Sequence, residues 1–210
     1  MSHDDLAEMT AQILLDTHAV LFRPEQPFFF SSGWASPVFV DCKRVISYPL
    51  ARTTLIELAI RKILSTTGYA AFDVIAGGEG AGVPFAAMIA DRLHLPLVVI
   101  RRQSTGFGRL AQADGVIEPG QRVLLVDDLT TDGRTKAVFC QGLQRAGADV
   151  RQAFVLFKYG IFDHVVHDLD QLNVTLFTLA TWADLLRVAR QRGALESTVL
   201  ADIEAYVADP

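Results

Sequence analysis

The chain has 210 residues, 50% of them hydrophobic and 20% charged, with a formal net charge of -5, which is length enough for one domain with a sizeable core. Its Lys and Arg residues are scattered rather than gathered into a basic stripe, which disfavours nucleic-acid binding, and no apolar run approaches the roughly 20 residues that cross a bilayer. Cys42 and Cys140 are the two cysteines; they lack disulfide-framework or zinc-ligand spacing and fit a reducing cytoplasm.

In chain order, residues 6–21 predict a helix on the spacing of Leu6, Met9, Ile13, Val20 and Leu21. Residues 28–41 predict extended, hairpin-like structure broken at Ser32 and Gly33. Ser47 with Pro49 opens a helix that runs to about Ser65 and stops near Gly68. A regular alternation follows: strands at 74–76, 97–100, 123–126, 153–157 and 174–179, helices at 83–93, 135–146 and about 162–169, and a long loop between Ile100 and Val123. That alternation predicts an α/β fold, a mostly parallel sheet with helices on both faces. Residues 1–48 are expected to form a small N-terminal hood over the ligand edge of the sheet and residues 49–180 the core. Residues 181–210 are expected to form helices packed back through Leu185, Leu186, Val188, Val199, Leu200 and Ile203, the whole being one domain. His164 and His167, beside Asp163 and Asp168, have helical spacing, but without a third ligand they read as a solvated helix face. A mean hydropathy of +0.28 points to an apolar face covered by a partner, most simply a second copy. The start, Met-Ser-His-Asp-Asp, lacks the basic and apolar segments of a secretory leader, so a cytoplasmic protein is expected.

Three segments carry chemistry. Residues 123–136 form a short apolar strand that stops at Asp127 and Asp128 and turns through Leu129, Thr130, Thr131, Asp132, Gly133, Arg134 and Thr135 into a helix. N–H groups that open a helix lack intrahelical acceptors and attract anions. The two acids would repel a phosphate unless they face sugar hydroxyls or a metal, so a ribose phosphate satisfies both ends. A buried strand entering an ordinary helix accounts for residues 123–126 but not for two adjacent acids followed by that turn. Residues 73–84 place four glycines among six positions, Gly77, Gly78, Gly80 and Gly82, with Glu79 and Ala81 between them. Val83 breaks the dinucleotide glycine pattern, and a backbone lying against pyrophosphate oxygens is expected instead. Residues 101–115 read as a mobile lid hinged by Gly106 and Gly108, with Arg101 at a strand end within reach of pyrophosphate.

The acid-pair segment resembles the phosphoribosyl-pyrophosphate signature of type I phosphoribosyltransferases, here Thr131-Asp132-Gly133-Arg134-Thr135 after two acids. Asp132 departs from it, bringing a charge where the family usually has a small residue, so its side chain is expected to turn away, toward Arg134. Residues 30–41, with their Ser-Gly-x-x-Ser-Pro turn, the Gly80–Pro84 loop and Lys158-Tyr159-Gly160 narrow the resemblance to orotate phosphoribosyltransferases, in colinear order from about Leu14 to Gly193.

The resemblance implies transfer of ribose 5-phosphate from phosphoribosyl pyrophosphate, with Mg2+ held through pyrophosphate and ribose oxygens, to orotate. It implies Asp127 and Asp128 at the ribose hydroxyls, Thr130 to Thr135 at the 5-phosphate, and Arg101, Arg102 and the Glu79–Gly82 backbone at pyrophosphate. Thr131, Ser31, Ser32, Phe39 and Lys158 would line the base pocket. It also implies a homodimer whose lid reaches the neighbouring site. The family's lid lysine and histidine fall on Thr105 and Phe107, leaving Arg102 or Arg109 as substitute cations. Transfer to another base, favoured by the apolar Trp34 and Phe107, and a non-catalytic phosphoribosyl-pyrophosphate-binding regulator remain open at this point.

Overall fold

The computed structural model describes residues 3–30, 33, 35–104, 112–161 and 165–210. Helix α1 spans His3–Asp16 and ends before the expected boundary. His18 takes φ 52°, and Ala19 N–H returns to the Leu14 carbonyl at 2.8 Å. The chain thus turns, and Val20 and Leu21, which extend the helical pattern, instead begin strand β1 (Val20–Phe22). β2 (Phe28–Phe29) pairs with β3 (Ala35–Ser36), and β1 pairs with β4 (Val38–Val40), both antiparallel. A 3-10 helix, Cys42–Ser47, leads into α2 (Pro49–Thr67). Proline at its first position and Gly68 at φ 88° after its last bound α2.

The α/β unit then runs β5 (Val74–Gly78), α3 (Gly82–Leu93), β6 (Leu97–Ile100), β7 (Ala113–Asp114), β8 (Arg122–Thr130) and α4 (Arg134–Arg145), followed by β9 (Asp149–Lys158), α5 (Val165–Gln171) and β10 (Thr175–Thr181). The sheet order is β10-β9-β8-β5-β6-β7, parallel except for β7. β7 has two residues, too few to leave a sequence pattern. β8 is longer than its apolar run because Asp127, Leu129 and Thr130 keep their register with Val155, Phe157 and Lys158 of β9. The acids therefore lie within the strand rather than beyond it.

One apolar cluster joins α1, α2, α3 and the C-terminal helices α6 (Trp182–Arg192) and α7 (Ser197–Ala208) to one face; the second lies under α4 and α5. Along β8, Leu124 and Val126 belong to the first cluster, Val123 and Leu125 to the second. That alternation carries the Asp127 side chain to the α4 side and Asp128 to the other. No helix among the described residues is long and apolar enough to cross a membrane.

Tyr159 ties the N-terminal strands to the sheet. Its buried hydroxyl accepts the Val40 N–H at 3.2 Å, and its ring meets Phe30, Phe157 and Trp182 edge-on, with centroids 5.6, 5.8 and 5.6 Å away. At the start of α6 the Asp184 carboxylate accepts both the Thr181 N–H, at 3.0 Å, and the Thr181 hydroxyl, at 2.8 Å. Asp184→Ala is expected to cost about 1 kcal/mol through loss of this cap and to lower Tm by roughly 2–4 °C in a chain of this size, read by thermal unfolding; an unchanged Tm would contradict that role.

Candidate active site

β5 and β8 are adjacent, but the chain leaves β5 for β6 on one side and continues from β8 to β9 on the other. Their C-terminal ends therefore flank a topological switch point, where open α/β sheets bind ligands. A cavity of about 320 Å³ lies there, within the roughly 300–1,000 Å³ of small-molecule sites. One wall is Glu79, Gly80 and Ala81 after β5; another is the end of β8 and its turn, from Asp127 to Gly133 with Thr135 and Lys136. Arg102 closes the β6 side, and Phe30, Phe39 and Lys43 come from the N-terminal segment.

The glycine-rich loop owes most of its composition to packing. A Cβ on Gly77 would lie 2.9 Å from the Ala86 Cβ, one on Gly78 2.7 Å from the Phe139 ring, and one on Gly82 2.6 Å from Asp127 Oδ1. Gly80 alone of the four has open space and a φ of 90°, a conformation that glycine adopts freely. Three glycines thus let β5 and α3 close around Asp127, while the fourth bends the loop along the cavity.

Asp127 is held on every side. Its Oδ1 accepts the Asp128 N–H at 2.9 Å, and its Oδ2 lies 2.7 Å from Lys136 Nζ. The side chains of this ion pair are 6% and 8% exposed. Asp128 has no salt-bridge cation among the described residues. Burial first, then the charge of Asp127, pushes its carboxyl up to about 7, against the opposing pull of Lys136. Cys42 packs near it, and its thiol is raised by burial and then by the charges of Asp128 and Asp41.

In the turn, Gly133 takes φ 73° and donates its N–H to Thr130 Oγ1 at 3.2 Å. Asp132 accepts the Arg134 N–H at 3.3 Å and pairs with the Arg134 guanidinium at 2.7 Å, so its charge is directed at Arg134. Two of the N–H groups expected to face an anion are therefore already engaged. Those of Thr135 and Lys136, in the first turn of α4, have no protein acceptor among the described residues.

The two arginines after β6 diverge. Arg101 pairs with Asp114 of β7 at 2.6 Å, whereas Arg102 lines the cavity and donates its N–H to Glu79 Oε2 at 3.0 Å. Gln112 joins the two ends of the intervening loop, donating to the Arg101 and Arg102 carbonyls at 3.1 and 3.2 Å. Arg101, Gly82, Arg134 and Lys158 do not line the cavity. Ser31, Ser32, Trp34, Thr105, Gly106, Phe107, Gly108, Arg109 and His164 lie outside the described residues.

A phosphoribosyl transferase domain matches residues 50–161, from α2 to the loop after β9. The orotate phosphoribosyltransferase of Cereibacter sphaeroides is 45% identical over 207 residues, 99% of this chain and 89% of the relative. The chain belongs to the orotate phosphoribosyltransferase family. Among solved structures, the orotate phosphoribosyltransferase of Aeropyrum pernix superposes with a TM-score of 0.72 at 28% identity, over 88% of this chain and 99% of that one. The UMP synthase of Leishmania donovani gives a TM-score of 0.81 at 28% identity over 97% of this chain, which spans 42% of that longer protein.

Within this orotate phosphoribosyltransferase-family cavity, three residues escaped sequence reasoning: Phe30, Lys43 and Lys136. For Lys136 a signal existed. A lysine in the first turn of a helix opposes the helix dipole, and one followed directly by the apolar Ala137 and Val138 needs a nearby acid. Phe30 and Lys43 carried none, because their place in the cavity depends on how the N-terminal strands fold over the sheet.

Proposed function

We propose that the protein transfers ribose 5-phosphate from phosphoribosyl pyrophosphate to the ring nitrogen of orotate. The bond from C1′ to the pyrophosphate oxygen breaks, the bond from C1′ to nitrogen forms, and the nitrogen's proton is released, giving orotidine 5′-monophosphate and pyrophosphate. The observation that carries this reading is a single switch-point cavity that combines a helix-opening anion turn, a buried acid and two aromatic walls.

In this reading the turn from Thr130 to Thr135 holds the 5-phosphate through its hydroxyls and the open N–H groups at the start of α4, not through the engaged Gly133 and Arg134 N–H groups, while Arg102 and the Glu79–Ala81 backbone hold pyrophosphate. Asp128, flanked by Asp127, faces the ribose hydroxyls. As pyrophosphate leaves, positive charge develops on the ribose, and fixed carboxylate charge beside it stabilises the transition state over the ground state. Phe30 and Phe39, with centroids 6.2 Å apart, wall the base together with Thr131, and Ser31 and Lys158 are the further base contacts of this proposal.

Mg2+ binds near-octahedrally through substrate phosphates and few carboxylates. Of the two adjacent carboxylates lining the cavity, Asp127 is committed to Lys136 and Asp128 is left, a donor set that fits an ion carried mainly by substrate oxygens. When bound there, the ion supplies neutralising charge to the leaving pyrophosphate. We further propose a cytoplasmic homodimer with one domain per chain, a hood within residues 1–48, and a lid containing Thr105, Phe107 and Arg109 that closes on the neighbouring site.

Ultraviolet detection of orotate consumption with magnesium phosphoribosyl pyrophosphate tests the reading. Turnover with orotate above uracil, adenine and hypoxanthine is expected, and no product above background would overturn it.

A further inference from the structure

Lys136 is placed at an energetic disadvantage. It is a buried cation, and it stands in the first turn of α4, where the helix dipole disfavours positive charge. Burying an ion pair is weak evidence of stabilisation, because desolvation offsets the attraction and an apolar pair of similar volume often does as well. The residue also lines the cavity, yet its ammonium is committed to Asp127 at 2.7 Å rather than to open space.

The surroundings of Asp127 suggest what this placement achieves. A glycine wall at Gly78 and Gly82 leaves room for the carboxylate and no more, and the Asp128 N–H takes its other oxygen. Lys136 completes a cage that holds one orientation of the Asp127 carboxylate and balances its charge. The next residue, Asp128, leaves the strand on the opposite side and has no salt-bridge cation among the described residues.

Resting on the proposed phosphoribosyl transfer, we propose that Lys136 is a positioning residue: by fixing and neutralising Asp127, it leaves Asp128 as the acid presented to the ribose. The Lys136 side chain does not touch substrate; it acts through Asp127, and Lys136→Met leaves the backbone N–H of the turn in place. Without it, two adjacent carboxylates repel, Asp127 is free to rotate, and the ribose end of the site loses its fixed geometry while the anion turn keeps its own.

A double-mutant cycle tests this on the full chain, with Lys136→Met, Asp127→Asn and the pair Asp127→Asn/Lys136→Met. Binding of magnesium phosphoribosyl pyrophosphate and of inorganic phosphate is measured by calorimetry, beside Tm. Each single substitution is expected to weaken phosphoribosyl pyrophosphate binding by about tenfold, and the pair to lose no more than the worse single, because contacting partners are non-additive. Inorganic phosphate affinity stays at the wild-type value in all three.

Losses that multiply in the pair would overturn the proposal. So would a parallel loss of inorganic phosphate binding in Lys136→Met, which would make Lys136 a phosphate ligand or a general scaffold residue. If Lys136→Met does not fold, the neutral pair decides: it is expected to fold, and phosphate affinity below wild type in it would overturn the assignment. Wild-type protein that binds phosphoribosyl pyrophosphate but does not consume orotate would sink the proposed function and leave this cycle readable.

Discussion

Gly82→Ala is expected to lower kcat/KM for phosphoribosyl pyrophosphate by about a hundredfold, the scale of loss for an active-site displacement near 1 Å. The new Cβ would lie 2.6 Å from Asp127 Oδ1, 2.9 Å from the Val126 carbonyl and 3.0 Å from the Asp127 Cα. Two of these are backbone atoms of β8, a strand paired on both sides, and cannot retreat. The loop from Glu79 to Ala81 must lift instead, carrying one cavity wall away, at an overpacking cost of roughly 1–3 kcal/mol. Gly80→Ala is the control. Its Cβ meets nothing, and only its φ of 90° is strained, so its loss is expected to be the smaller. Steady-state kinetics on the two variants decides, and wild-type kcat/KM in Gly82→Ala would refute the packing account.

Asp128→Asn is expected to reduce kcat by about a hundred- to a thousandfold, the scale for removing one preorganised electrostatic group. It also has a pH signature. Burial and the neighbouring Asp127 charge raise the Asp128 carboxyl to about 7, so the folded protein holds a proton that the unfolded chain, with an aspartate near 4, has released. The folded state therefore binds more protons between about pH 4 and 7, and this group's contribution to stability falls as pH rises through that window. Below it both states are protonated and the contribution is flat. Thermal melts of the ligand-free protein should show Asp128→Asn matching wild type near pH 4 and exceeding it at pH 8. Equal pH dependence in both proteins would contradict the buried-acid assignment.

The parts of the molecule that were legible in the sequence are those whose cause is local. The alternation of apolar runs with helical periodicity located the five longer core strands, and Pro49 and Gly68 bounded α2 because both act within a residue or two of themselves. Two acids followed by a hydroxyl and glycine turn marked the candidate anion turn for the same reason: a helix start exposes its own N–H groups. The charge of Asp132 demanded a near partner and has it in Arg134, two residues on.

What the sequence left undecided depends on which distant residues meet. Val20 and Leu21 continue a helical pattern, and only pairing with Phe39 and Val40 makes them strand. Arg101 and Arg102 are alike in sequence; β7, a two-residue edge strand, draws the first to Asp114 and leaves the second to the cavity. Four glycines around Glu79 suggested a loop shaped for a ligand, yet three of them are there because Ala86, Phe139 and Asp127 press against the positions where a Cβ would be. By itself, then, the sequence determined the α/β class and the family, and it singled out the turn after β8 as a candidate anion site. The tertiary structure decided how charge is distributed there, because desolvation and close packing, which pair Asp127 with Lys136 and leave Asp128 protonatable, arise only when α4, β5 and β8 come together.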